Sequence, residues 1–347
     1  MNKHGGYFGE EKNKVIDFSV NINPLGVPER LISELKESLT ELVRYPEIDG
    51  ESAKRTLAEK LNVESESLIL GNGATELIYL FARALRPEKV LIVQPTFTEY
   101  ARAFELNGGS VSNFNTEQQN DFNIDIDSLI NELNRIRPKA LVICNPNNPT
   151  GVFTDKEVFK PVLDVLREIG ACLFIDESFI DFTDKHPYAS LVDRYQIFIL
   201  RSMTKTYAIP GLRLGYGLAS KEIVTEMNRL KEPWTLNSLA LSAVPVLLED
   251  DEYMAKMKEW HTKENEFLYN ELNSINGLKV YKSDANFFLC KLFSASAQSL
   301  KQYMLNRNIC IRTCEDFYGF NDEYVRFAVR SREENELLIR CLKEYFK

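Results

Sequence analysis

Histidine is scarce in this chain: three residues, His4, His186 and His261, lie far apart. The six cysteines, Cys144, Cys172, Cys290, Cys310, Cys314 and Cys341, are scattered too and form no CxxC pair. No Cys/His spacing of the kind a zinc centre uses is left, and no metal is expected. Cys144, Cys172 and Cys290 sit inside apolar runs and read as buried, reduced thiols. No apolar run approaches the roughly 18 residues that span a bilayer. The opening "MNKHGGYFGEEKNK" lacks the apolar centre of a secretory signal, so a cytoplasmic protein with no membrane contact is expected. Basic residues are in deficit, 42 Lys and Arg against 51 Asp and Glu for a net charge of −9, which argues against nucleic-acid binding. Repeats, low-complexity segments and the phosphate-loop pattern GxxxxGK[ST] are absent.

What is present is length and alternation. The 347 residues suffice for a large core and for two lobes. From about residue 50 to 230, helical patterns alternate with short runs apolar on both faces: "KVLIV" (89–93), "ALVIC" (140–144), "CLFID" (172–176), "IFIL" (197–200) and "LGYGLA" (214–219). Such runs predict an α/β fold with a mostly parallel sheet covered by helices. Thr154 and Glu157 are expected to cap the helix "KEVFKPVLDVLREI", and Gly170 to stop it. After Pro233, helical stretches at about 237–249 and 252–273 lead to strands "FFLCKL" (287–292), "ICIR" (309–312) and "YVRFAV" (324–329). A last helix is boxed by Ser331 and Glu334. The expected organisation is an arm and helix (1–45) packing with the small domain, a large domain (46–232) and a smaller α+β domain (233–347).

Ligands in open α/β sheets sit at the carboxyl ends of the strands. Four such ends carry suggestive residues. "LIL" delivers "GNGATE" (71–76), where Gly73, Ala74 and Thr75 open a helix whose N-terminus can hold an anion. The third glycine of a dinucleotide fingerprint is missing. "LVIC" delivers "NPNNPTG" (145–151), a stiff loop presenting side-chain amides. "LFI" delivers Asp176 and Glu177, and a buried carboxylate there needs a cationic partner. "FIL" delivers "RSMTKTYAIPGLR", with Lys205 between Ser202, Thr204 and Arg213. Singly these are turns and surface charges. Jointly they fit pyridoxal phosphate, whose aldehyde needs an amine, whose pyridinium needs a carboxylate, and whose phosphate needs N–H, hydroxyl and guanidinium donors.

The motifs "NPNNPTG", "IDESF", "SMTKTYAIPGLRLGY" and "RYPE" (44–47) resemble fold-type I pyridoxal-phosphate enzymes over nearly the whole chain. The branch is the one containing histidinol-phosphate aminotransferases and threonine-phosphate decarboxylases. The resemblance implies that Lys205 forms the Schiff base, Asp176 holds the pyridinium and Asn148 bonds the ring oxygen. It implies that Ala74, Thr75, Ser202, Thr204 and Arg213 hold the phosphate and that Phe97, rather than Tyr100, stacks on the ring. Tyr45 is implied to reach the cofactor phosphate of a neighbouring subunit, in a homodimer with shared active sites.

Within that branch, "HGG" (4–6) with "DFSVNINPLG" (17–26), and the run 309–335 with "IRTC" and "VRFAVRS", resemble the decarboxylases. Phe179 in "DESF" departs from the tyrosine frequent in the aminotransferases. The implied reaction is decarboxylation of O-phospho-L-threonine to (R)-1-aminopropan-2-yl phosphate, a building block of cobalamin-type cofactors. Arg312 and Arg326 are expected to bind the substrate phosphate, with His4 and Asn23 closing over it. Arg330, in the same run, carries no assigned role. The alternative is transamination of histidinol phosphate with 2-oxoglutarate.

Overall fold

The computed structural model describes residues 5–7, 9 and 14–347. The arm contributes β1 (Ile16–Asp17). A seven-stranded sheet follows: β2 (Leu68–Asn72), β3 (Lys89–Gln94), β4 (Ser110–Asn115), β5 (Ala140–Cys144), β6 (Cys172–Asp176), β7 (Ile197–Ser202) and β8 (Leu214–Ala219). Its spatial order is β2-β8-β7-β6-β5-β3-β4. The five strands from β4 to β7 across that order are parallel, and β8 runs antiparallel to both β7 and β2. The sheet is thus mostly parallel, as the doubly apolar runs predict. Every residue of β5, β6 and β8 is buried, because helices cover both faces. This topology brings the carboxyl ends of β2, β3, β5, β6 and β7, and the start of β8, to one edge.

The smaller sheet comprises β9 (Leu278–Val280), β10 (Phe287–Leu292) and, beyond the short β11 (Ile309–Cys310), β12 (Arg312–Thr313) and β13 (Tyr324–Ala328). The expected single strand "ICIR" is split at Ile311. Its first half pairs in parallel with β1, its second antiparallel with β13. The arm segment also divides. Phe18 joins the small-lobe core around Phe288, Val325 and Leu338, whereas Leu31 on the helix Glu29–Ser38 belongs to the large core. The helix Ser238–Leu248 buries Ala240, Ala243, Val244 and Leu247 in that same large core, although it follows Pro233.

Two helix starts repay comparison. The helix Arg332–Tyr345 carries the full Ser331/Glu334 capping box. The helix Lys156–Ile169 is capped by Asp155, whose Oδ1 accepts the Glu157 N–H at 2.8 Å, rather than by Thr154. Thr154 instead gives its N–H to Asn145 Oδ1 at 2.7 Å, which fixes the loop after β5. Gly170 ends that helix at φ +66°, the left-handed conformation a glycine adopts freely. No helix among the described residues is long and apolar enough to cross a membrane.

Candidate active site

The strand ends line a cleft of about 570 Å³, counted out to its open mouth. Ala74, Thr75, Phe97, Asn148 and Asp176 line it, together with Ser202, Thr204, Lys205 and Arg213. Nine residues singled out in the sequence, from segments as far apart as 74 and 213, therefore meet in one place.

At one end the helix Ala74–Leu85 begins, its free N–H groups and dipole favouring an anion. Gly73 precedes it at φ +75°, and a Cβ there would stand 2.3 Å from an Arg213 guanidinium nitrogen. Glycine is what lets that guanidinium lie against the helix start. Ser202 Oγ and Thr204 Oγ1 are 2.7 Å apart and complete the donor set.

At the other end Asp176 is buried where β6 stops. Its Oδ1 accepts the Ser178 N–H at 2.8 Å and its Oδ2 accepts the Tyr100 hydroxyl at 2.6 Å. Burial pushes its carboxyl above the ordinary carboxylate range, and the Ser178 and Tyr100 hydrogen bonds oppose that shift, as does the Lys205 charge. Lys205 donates to Thr204 Oγ1 at 3.3 Å. Burial brings its ammonium down to about 8; Asp176 resists this, while Arg213 and Arg326 push the same way as burial. An amine so placed is available as a nucleophile near neutral pH. Asn148 accepts a hydrogen bond from Arg326. Phe97 lines the wall and meets Tyr100 edge-on, centroids 5.6 Å apart. Phe179 also lines the cavity, and its ring meets Phe287 edge-on.

The residues expected to bind substrate are placed differently from one another. Arg326 is buried next to the cavity: one nitrogen reaches the lining residue Asn148, another donates to Ser19 O at 2.8 Å, and Nε has no partner. Gly5 lies on that same Ser19, so closely that a Cβ would be 2.3 Å from its carbonyl oxygen. His4 lies outside the described residues. Arg312 stands opposite Arg326 on the neighbouring strand, hence on the same sheet face, but is paired with Asp316 at 2.7 and 2.8 Å. Asn23 differs from expectation. Its Nδ2 donates to Thr206 O at 2.8 Å and Tyr253 OH at 3.1 Å, and its Oδ1 accepts the Leu25 N–H at 2.9 Å. Its backbone N–H reaches Lys205 O at 3.2 Å. Both polar atoms of its side chain are committed within the protein, and the bonds to Thr206 O and Lys205 O tie it to the lysine loop. Arg330 pairs with Glu334 and donates to Asp17 O at 3.1 Å, tying the arm to the last helix. Tyr45 is 84% exposed, its ring 5.1 Å from that of Trp234, and does not line the cavity of its own chain.

Sequence reasoning missed the part played by two residues, having weighed Tyr100 only as the lesser ring-stacking candidate. Tyr100 is one. The other is Arg201, which neutralises the buried Glu177 and reaches Asp181; Asp181 in turn accepts the Thr206 hydroxyl at 3.0 Å. A lone arginine inside the run "IFILRS", facing the acidic "IDE" on the adjacent strand, was the available signal.

An anion cradle, a buried carboxylate at the far end and a lysine of lowered basicity on this fold define a pyridoxal-phosphate enzyme. The chain belongs to the family Aminotransferase class I and II, whose model matches residues 13–342. It is 36% identical to a putative threonine-phosphate decarboxylase of Caldanaerobacter subterraneus, covering 99% of this chain and 94% of that one. It is 33% identical to the threonine-phosphate decarboxylase of Salmonella typhimurium, covering 98% and 95%. Among solved structures, the histidinol-phosphate aminotransferase of Clostridium acetobutylicum is 34% identical with a TM-score of 0.89, covering 94% and 98%. The cofactor of this family is pyridoxal phosphate, and the residues here fit it: hydroxyl, guanidinium and helix N–H donors for a phosphate, Asp176 for a cationic ring nitrogen, Lys205 for an aldehyde.

Proposed function

We propose that this protein decarboxylates O-phospho-L-threonine, releasing carbon dioxide and leaving (R)-1-aminopropan-2-yl phosphate for a cobalamin-type side chain. The observation that carries the reading is Arg326: a buried guanidinium bonded to the cavity-lining Asn148, its Nε unpartnered, and held to Ser19, on which Gly5 of the arm lies. Burial brings its ionisation down to about 10, which leaves it a cation at neutral pH. Such a cation, with Nε free to donate, suits an anionic substrate group. Arg312 adds a second cation once Asp316 gives way to the incoming phosphate. The identities to two decarboxylases support the same reading.

In this reading Lys205 carries the cofactor, Ser202, Thr204, Arg213 and the helix start at Ala74 hold its phosphate, and Asp176 keeps its ring nitrogen protonated. When bound, the cofactor supplies an electron sink for the pair left on Cα as a bond to that carbon breaks. Arg326 and Arg312 orient the substrate so that the bond broken is the one to the carboxylate. Lys205 then supplies the proton that Cα needs. Asn23 and Thr206 keep the Lys205 loop in place.

A homodimer belongs to the proposal. Val43, Tyr45, Leu42, Leu39 and Trp234 are all exposed on one stretch of surface, a patch of the kind that a partner copy covers. The second reading, transamination of histidinol phosphate, is favoured by the likeness to the clostridial aminotransferase. One assay separates the two. With phosphothreonine the holoenzyme should release carbon dioxide, and with histidinol phosphate and 2-oxoglutarate it should form no glutamate. Glutamate without carbon dioxide would refute the decarboxylase.

A further inference from the structure

Asp176 is met by four neighbours: the Ser178 N–H, the Tyr100 hydroxyl, the Cys144 thiol and the Lys205 ammonium. Two of these are hydrogen bonds of good length, one on each carboxylate oxygen. Burial pushes both the Tyr100 phenol and the Cys144 thiol up, so neither carries charge at neutral pH. The Cys144 thiol points to Pro146 O at 3.2 Å. Tyr100 has one proton to give and gives it to Asp176. Its ring is held by Phe97 and Phe174, with centroids 5.6 and 5.9 Å away. The ring packing and the hydroxyl contact are therefore separable: phenylalanine retains the first and deletes the second.

A carboxylate and a pyridine nitrogen facing each other share one proton. A donor on the carboxylate stabilises its anion and so favours the arrangement with the proton on nitrogen. We propose that Tyr100 is a positioning residue that acts through Asp176, holding it as the anion so that the shared proton rests on the cofactor's ring nitrogen. The inference rests on the pyridoxal-phosphate assignment and not on which reaction follows. Its consequence is that the electron sink is set through Asp176, by a hydrogen bond from a residue of the same cavity wall.

The test loads wild type, Tyr100→Phe, Asp176→Asn and the double variant with pyridoxal phosphate labelled with nitrogen-15 in the ring, and reads the nitrogen chemical shift without substrate. Tyr100→Phe should move the shift toward the neutral-pyridine position, Asp176→Asn should move it further, and the double variant should match Asp176→Asn alone. In turnover, Tyr100→Phe should lower kcat roughly ten-fold, the worth of a hydrogen bond to a charged group, with KM little changed. An unmoved shift in Tyr100→Phe beside a moved one in Asp176→Asn overturns the proposal. An additional shift from Tyr100→Phe in the Asp176→Asn background overturns it as well, because Tyr100 would then act by another route. An unmoved shift in Asp176→Asn overturns both the proposal and the role given to Asp176, while leaving the decarboxylase assay unaffected.

Discussion

Replacing Arg201 with alanine should destabilise the large domain severely, and more at alkaline than at acid pH. The Glu177 side chain is 0% exposed and that of Arg201 14%. Arg201 Nε and another guanidinium nitrogen each stand 2.8 Å from Glu177 Oε2, while the Tyr188 N–H donates to Oε1 at 2.8 Å. Without the guanidinium, one backbone N–H remains to satisfy a buried charge. Breaking a buried pair in this way costs about 3–5 kcal/mol, a large share of the ~5–15 kcal/mol that holds a protein folded. Glu177 is already pushed above the usual carboxylate range by burial, with Arg201 the chief opposing influence, so its removal raises it further. A carboxyl whose folded pKa exceeds its unfolded one, about 4.3, loses stability as pH rises from that value to the folded pKa. The penalty should therefore be small near pH 4 and full well above the raised folded pKa. Urea midpoints of wild type and Arg201→Ala, measured at several pH values, read it directly. Adding Glu177→Leu with Arg201→Met should recover most of the loss, since apolar replacement of both partners is close to neutral. A loss under about 1 kcal/mol, or one independent of pH, would refute the account, because a pair so buried cannot be both unimportant and uncharged.

Three further outcomes are expected. Lys205→Ala should abolish borohydride-stable labelling of the protein by pyridoxal phosphate at the peptide 203–213, which peptide mass analysis checks. His261, held down to about 4 by burial, must take up a proton on unfolding below about pH 6.5; His261→Gln should remove about 3 kcal/mol of stability loss between pH 6.5 and 4, seen as a flatter acid limb in melting scans. Val43→Asp, at an apolar residue that is 87% exposed, should halve the mass measured by sedimentation while leaving the monomer folded by circular dichroism.

The strands of the large sheet were legible because they are buried on both faces, which leaves an unbroken apolar run in the sequence. β4, "SVSNFN", was not: an edge strand with one partner tolerates serine and asparagine and carries no such signature. The antiparallel direction of β8 was equally hidden, since apolar content says nothing of strand direction. The cofactor end of the cavity was readable as a set because its chemistry uses unusual residues at strand ends. The rest was written in partnerships between distant residues. Arg312 looked like a free cation until Asp316 was seen beside it, and Asn23 looked like a substrate contact until its donors were found committed to Thr206 and Tyr253. Asp155 rather than Thr154 caps the helix, and the Thr154 N–H serves the distant Asn145 instead.

The clamp made by Asn23 has a consequence for how the enzyme matures. Asn23 and the Thr206 carbonyl it holds are 183 residues apart, and Ser19 meets Arg326 across 307. During synthesis the arm emerges well before the residues that anchor it. The Lys205 loop therefore gains its Asn23 hydrogen bonds only when the arm packs back against residues made 183 positions later. A chain ending before Tyr253 would have the lysine and the phosphate cradle but would lack the hydroxyl that Asn23 also holds.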